Sequence, residues 1–186
     1  LDCPVYLAPD AAHCIKSYKR NQPSLEILSL IRTDKEIFIE NLHKHLSFLG
    51  PVSDWENINE HFFKNEAVFD RFFRKHLQYK FSSSKLMMWY RSKTYNRRAN
   101  DALSTGTKML SQANLIISDR LHAHIICCLM GKPHISIDNA NGKVGEYIIK
   151  WGDFGITEMI NSKVDLLSKI EALRKRRKNG PQSPFN

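Results

Sequence analysis

Residues 115–137 constrain the fold of this chain more than any other stretch. Leu115–Ile117 (LII) is a short apolar run suited to a buried strand, Ser118 and Asp119 form a turn able to cap a helix, and Leu121–Met130 is apolar at nearly every position. Gly131 supplies a helix stop, Lys132 and Pro133 an exit, and His134–Ile137 a second β-rich run. Strand, helix, strand at this spacing predicts a right-handed crossover between two parallel strands, with the helix buried against the sheet. The expected fold class is therefore α/β, a parallel sheet with helices on both faces.

The flanking sequence extends the pattern. Leu25–Ile31 (LEILSLI) has the length of a strand and runs at once into Arg32, Thr33, Asp34, Lys35 and Glu36. That places polar groups at the carboxyl edge, where open α/β sheets bind ligands. A helix is expected through Ile37, Leu42 and Leu46, stopped by Gly50 and Pro51, with Asp54 and Trp55 in a loop. From Glu56 to Lys80, Phe62, Phe63, Phe69, Phe72 and Phe73 are spaced for a shared helical face, as in a packed hairpin or one long helix. Ser82–Ser84 marks a break. Helices are then expected at Leu86–Tyr90 and Arg97–Ala113, with polar Arg91–Asn96 unassigned. After Asp138 come a loop, a helix to Trp151, a final helix from about Lys163 into a basic run, and a frayed tail, Asn179–Asn186.

Composition narrows the partners. The 186 residues carry a net charge of +9, but Arg174, Lys175, Arg176, Arg177 and Lys178 hold five of the positive charges and leave only +4 without them. Such a balance permits a nucleic-acid, anionic-lipid or anionic-substrate partner. The aromatic residues between Phe62 and Tyr95 follow helical spacing, which argues for core, and no RNA-binding or helix-turn-helix signature is present; no nucleic acid is expected. The basic run reads either as a solvated helix end or as a contact for anionic headgroups. The longest apolar run, Ile125–Met130, has six residues, far short of a membrane span. Cys3, Cys14, Cys127 and Cys128 include no CxxC pair and read as buried thiols, which favours a reducing cytoplasm.

The chemistry concentrates at Ser118–His122. At a strand-to-helix junction the first peptide N–H groups lack helical partners and the helix dipole is positive, so an anion, phosphate above all, is favoured. Arg120 adds a planar donor fork suited to phosphate or carboxylate. His122 can move a proton near neutral pH, although a histidine in a helix's first turn is more often simply a satisfied polar residue. His122 and His124 do not make a metal pair: at about 100° per residue, two positions fall on nearly opposite sides of a helix. No metal is expected. His13, His43, His45, His61, His76 and His134 show no partner pattern. Arg32 follows its strand as Arg120 follows the later one, so two arginines can converge at one sheet edge; equally, Arg32 belongs to a solvated helix start. Lys143, in DNANGK, lies on the loop after the next strand, at the same edge.

The block LIISDRLHAHIICCLMGKPHISIDNANGK strongly resembles the signature of the polysaccharide pyruvyltransferase family, and LAPDAAHCI and LIRTDKE resemble two further family motifs in their usual order. The similarity covers most of Val5 to Trp151. It implies a Rossmann-like half of a two-domain transferase of the GT-B type, with residues 1–20 the end of a largely missing amino-terminal domain, 21–178 the carboxyl-terminal donor-binding domain and 179–186 a tail. It also implies transfer of a pyruvyl group from phosphoenolpyruvate to hydroxyls of a sugar or lipid-linked oligosaccharide, forming a ketal and releasing phosphate. On this resemblance Arg32, Arg120 and the Leu121 backbone hold the donor, with charge from Lys143, and His122 is the general acid. Phosphoenolpyruvate is then a substrate and no cofactor is expected; the location is cytoplasmic, at the inner face of a membrane where Arg174–Lys178 touch lipid. Two rivals remain at this level. One is a glycosyltransferase using a nucleotide sugar on the same architecture, and the other a non-enzymatic protein working through its basic run.

Overall fold

The computed structural model describes residues 8, 10–14, 22–32, 42–55, 85–138, 141–152, 155–160 and 165–178. They divide into two compact units, one made of 1–53 with 110–186 and the other of 54–109.

The first unit is built on five strands, β1 (Leu25–Leu30), β2 (Val52–Ser53), β3 (Ala113–Ser118), β4 (His134–Ile137) and β5 (Thr157–Ile160), all parallel, in the spatial order β2-β1-β3-β4-β5. The helices are α1 (Leu42–Ser47), α2 (Lys85–Ser111), α3 (Leu121–Leu129), α4 (Lys143–Trp151) and α5 (Leu166–Lys178), and a short 3-10 turn spans Ala11–Cys14. The expected unit is present: β3, α3 and β4 fall where the hydrophobic pattern put them, with Ile116 opposite His134 and Ser118 opposite Ser136.

Strand alternation sorts the side chains onto two faces. Ile27, Leu115, Ile117, Ile135, Ile137 and Ile160 point to one face and pack with Leu42 and Leu46 of α1 and with Leu166, Ile170 and Leu173 of α5. The intervening His134 and Ser136 point to the other face, where their side chains meet His124 of α3. Helices thus cover both faces, as the near-continuous apolar strands demanded. Each fully buried Leu or Ile side chain contributes about 1.5–3 kcal/mol, which makes this double-sided sheet the main source of stability.

Several boundaries differ from expectation. Leu86–Tyr90 and Arg97–Ala113 belong to one continuous helix, α2, because the polar stretch between them lies on an exposed helix and has no need of an apolar stripe. Ala113 opens β3, paired with Leu25 of β1. Strands β2 and β5 were not anticipated: β2 is two residues long, and TEMI carries a charge at Glu158, whose carboxylate is taken up by Lys169 Nζ at 2.7 Å. The expectations for Thr33–Glu36, Glu56–Lys80, Asn139 and the tail 179–186 lie outside the described residues.

The second unit contains Trp55 and most of α2. Gly106 admits the Trp55 ring closely, since a Cβ there would stand 2.9 Å from it and force the indole to shift. The exposed side of α2 carries an Arg97–Asp101 pair at 3.9 Å and Lys93 over the Trp89 ring at 5.0 Å.

Candidate active site

The topology creates one obvious crevice. From β1 the chain moves outward to β2, whereas β3 lies on β1's other side, so the strand order reverses between β1 and β3. Connections leave in opposite directions at such a point and open a gap at the carboxyl edge. Arg32 follows β1 and Asp119–Arg120 follow β3, directly across this gap.

Two links fix the gap. The hydroxyl of buried Ser118 donates to the Leu30 carbonyl at 2.8 Å and accepts the Arg120 N–H at 3.1 Å. The Asp119 carboxylate, also buried, accepts the Arg32 N–H through both oxygens, at 3.1 and 3.2 Å. Burial pushes the Asp119 carboxyl up to about 6, against the pull of the Arg32 N–H and of the Arg120 and Arg32 charges. The charges of both arginines therefore act on one carboxylate, that of Asp119, which the sequence pattern marks only as part of a turn. His43 of α1 completes the support, its Nε2 3.0 Å from the Arg32 carbonyl.

Helix α3 begins with half-buried Arg120 at its N-cap in an extended conformation, and the Arg120 carbonyl accepts the His124 N–H at 3.1 Å. No side-chain cap covers this helix start, so its first amides remain oriented toward the sheet edge. Leu121 is half-buried and His122 is exposed over 65% of its side chain. His122 Nε2 stands 3.7 Å from Asp10 Oδ2. Leu121 and Asp10 line an open cleft of about 810 Å³ together with Lys143, Glu146, Tyr147 and Lys150 of α4. Arg32, Arg120 and His122 lie outside the lining of that cleft, so the structure gathers the expected residues in two adjoining groups. Leu121 and Lys143 share the cleft wall, Arg32 and Arg120 flank Asp119, and His122 joins the first group through Asp10.

Helix α4 is seated by a close approach. The Gly145 N–H donates to Asp138 Oδ1 at 3.2 Å, and a Cβ on Gly145 would fall 2.6 Å from the other Asp138 oxygen and 2.7 Å from Met159 Cε. A larger residue at 145 would have to displace the Asp138 carboxylate and the Met159 methyl to keep α4 this near the end of β4. Tyr147, two residues on, has its hydroxyl 2.6 Å from His13 Nε2 and 3.4 Å from the Asp10 N–H. Burial, with the Asp10 charge nearby, pushes the Tyr147 pKa above the usual phenol value, so the phenol stays protonated. Sequence reasoning missed Asp10, His13 and Tyr147 because Tyr147 lies 134 residues beyond His13.

A second cluster lies beneath the site. His124, Cys128 and His134 are buried, with candidate ligand atoms within 4.8 Å of one another. The spacing is four along α3 for His124 and Cys128, which puts them on one helix face, while His122 points to solvent; His122 and His124 diverge as the helical angle required. Hydrogen bonds account for every ring nitrogen of this cluster. His134 Nδ1 donates to the Lys132 carbonyl at 2.9 Å, leaving Nε2 to accept from His124 Nδ1 at 2.8 Å and from the Thr157 hydroxyl at 2.9 Å. His124 Nε2 then faces the Cys128 thiol at 3.7 Å. Desolvation, with His124 adjacent, lowers His134 to about 3, so it is held neutral. The arrangement is a satisfied polar plug in the core.

The reversal of strand order and the start of α3 lie together at the carboxyl edge of a parallel α/β sheet, the edge at which open α/β folds bind ligands. Comparison with known families gives the identity of the class: residues 1–141 match the polysaccharide pyruvyl transferase family, and the chain belongs to it. It is also similar to Pyruvyl transferase 1 of Schizosaccharomyces pombe (strain 972 / ATCC 24843), at 33% identity over 81 residues, which is 43% of this chain and 20% of that protein. The aligned part is thus about one fifth of the relative's length. Among the described residues, no helix is long and apolar enough to cross a membrane.

Proposed function

We propose that this chain forms the donor-binding part of an enzyme that transfers the pyruvyl group of phosphoenolpyruvate to two hydroxyls of a sugar or lipid-linked oligosaccharide, as a cyclic ketal. The observation that carries the reading is the Arg32–Asp119–Arg120 arrangement across the strand reversal, beside an uncapped helix start. Phosphoenolpyruvate presents a carboxylate and a phosphate on three carbons. Two arginines, the Leu121 N–H and the Lys143 ammonium supply complementary charge and donors.

His122, at the solvent-facing side of the same helix turn, supplies the proton. Protonation of the methylene carbon generates an oxocarbenium-like centre at C2, which one acceptor hydroxyl attacks. The second hydroxyl then takes the place of the leaving phosphate. Protons balance: the two hydroxyls release two, one of which ends in the new methyl group and one on hydrogen phosphate. His122 passes the first and is recharged by the acceptor. Preorganised cations matter most at the phosphate, where negative charge accumulates as the C–O bond breaks.

In this reading the present domain is a Rossmann-like half of a GT-B-type enzyme, the protein acts in the cytoplasm in polysaccharide synthesis, no cofactor takes part, and Arg174–Lys178 at the end of α5 meet anionic lipid at the inner membrane face. The test is release of phosphate from phosphoenolpyruvate, dependent on a sugar acceptor, by the whole protein that carries this chain. Turnover with nucleotide sugars and none with phosphoenolpyruvate would overturn the proposal.

A further inference from the structure

The geometry points to Asp10 as the positioning residue for His122: its carboxylate, on the cleft wall, faces the imidazole Nε2 and orients the ring when substrate closes the site, which leaves Nδ1 to pass the proton. The inference rests on the role proposed for His122 and adds a residue from a different part of the chain.

The two oxygens of Asp10 have separate tasks. Oδ1 accepts the Ala12 N–H at 2.8 Å and so starts the 3-10 turn Ala11–Cys14, which the His13 N–H to Asp10 carbonyl bond closes at 3.0 Å. Oδ2 faces His122 Nε2 at 3.7 Å, longer than a hydrogen bond and of the length such contacts show before substrate closes a site. The turn itself is fastened to α4: the Tyr147 hydroxyl lies 3.4 Å from the Asp10 N–H and 2.6 Å from His13 Nε2, with the His13 and Tyr147 rings nearly parallel at 9°. A local turn, fastened through His13 to the distant Tyr147, therefore fixes the direction of one carboxylate, and that carboxylate faces a largely solvent-exposed imidazole.

Exposure decides what this contact can do. The side chains are 65% and 31% exposed, and ion pairs at such positions contribute little to stability. Orientation is a different matter, because a proton donor must meet its acceptor atom within a few tenths of an ångström and at the right angle. A carboxylate on Nε2 also selects the tautomer of the neutral ring, with hydrogen on Nε2, and so prepares Nδ1 to receive and hand on the mobile proton. Asp10 touches neither donor nor acceptor in this scheme; it acts through His122.

Asp10→Asn isolates the role, since Asn caps a turn as well as Asp does. Its Oδ1 keeps the Ala12 bond while its amide N–H₂ turns toward His122 as a donor, reversing the tautomer preference. The expected results are unchanged melting temperature, a His122 ring shifted from the Nε2–H toward the Nδ1–H form by ¹⁵N NMR, kcat for phosphate release lowered about 10-fold and KM for phosphoenolpyruvate changed less than about 3-fold. Asp10→Glu should recover part of the kcat loss. Unchanged ring-nitrogen shifts, or an unchanged kcat, overturn the inference. If the protein proves inactive with phosphoenolpyruvate, the functional reading fails on its own, and the nitrogen shifts still decide whether Asp10 orients His122.

Discussion

His122 and His124 are separated by one residue on one helix and live in opposite environments. The first is exposed over 65% of its side chain, with a carboxylate 3.7 Å from its Nε2; the second is 2% exposed, locked between Cys128, Ser136 and His134. The first ring is open to solvent, and the second is buried among hydrogen-bond partners. The comparison teaches that residue type does not assign chemistry here; helical angle does. Half of an apparent HxH motif is structure, and half is available for function.

The largest expected effect separates these halves. His122→Ala should lower phosphate release by about 10²–10⁴-fold while the melting temperature stays within a degree or two, because only an exposed ring is lost. His134→Ala should do the converse, costing about 2–5 kcal/mol in urea unfolding, since it opens a cavity and strips the partners of His124 and Thr157. Equal loss of stability in both variants would break the distinction.

A pH titration sharpens it. Between pH 6.5 and about 3 the unfolded chain binds a proton at residue 134 that the folded chain refuses, so His134 makes stability fall as the pH drops through that window. Asp119 has the opposite sign. Its folded carboxyl takes a proton near pH 6 whereas the unfolded one waits until 3.8, so its contribution rises as the pH drops between those values. Asp119→Asn should therefore steepen the acid-side loss between pH 6 and 4, read as the urea midpoint against pH. The smallest effect concerns the cleft wall: Gly145→Ala should cost about 1–3 kcal/mol by pushing α4 from Asp138 and Met159, and should weaken donor binding through Lys143.

Much of the sheet was legible. Apolar runs of strand length at Leu25–Ile31, Leu115–Ile117 and His134–Ile137 announced β1, β3 and β4, and the even apolarity of Leu121–Met130 announced a buried helix. Strands β2 and β5 were silent because two residues, or four with a charge among them, make no period. Among the candidate site residues, Arg32, Arg120, His122 and Lys143 stood out as polar or charged positions after strand ends, while Leu121 came only from the family resemblance. Asp10, His13 and Tyr147 did not, for their meaning lies in one another.

Local chemistry by itself determined which segments become strands and helices, since burial of apolar faces at period 2 or 3.6 is a property of neighbours in the chain. It also determined that the polar junctions lie at one edge, because parallel strands share a direction. Only the tertiary structure decided which junctions face each other, that Asp119 joins the two arginine-bearing ends, and that Asp10 reaches His122. Those contacts bridge 87 residues in the case of Arg32 and Asp119, and no local pattern encodes a distance closed by the packing of the whole sheet.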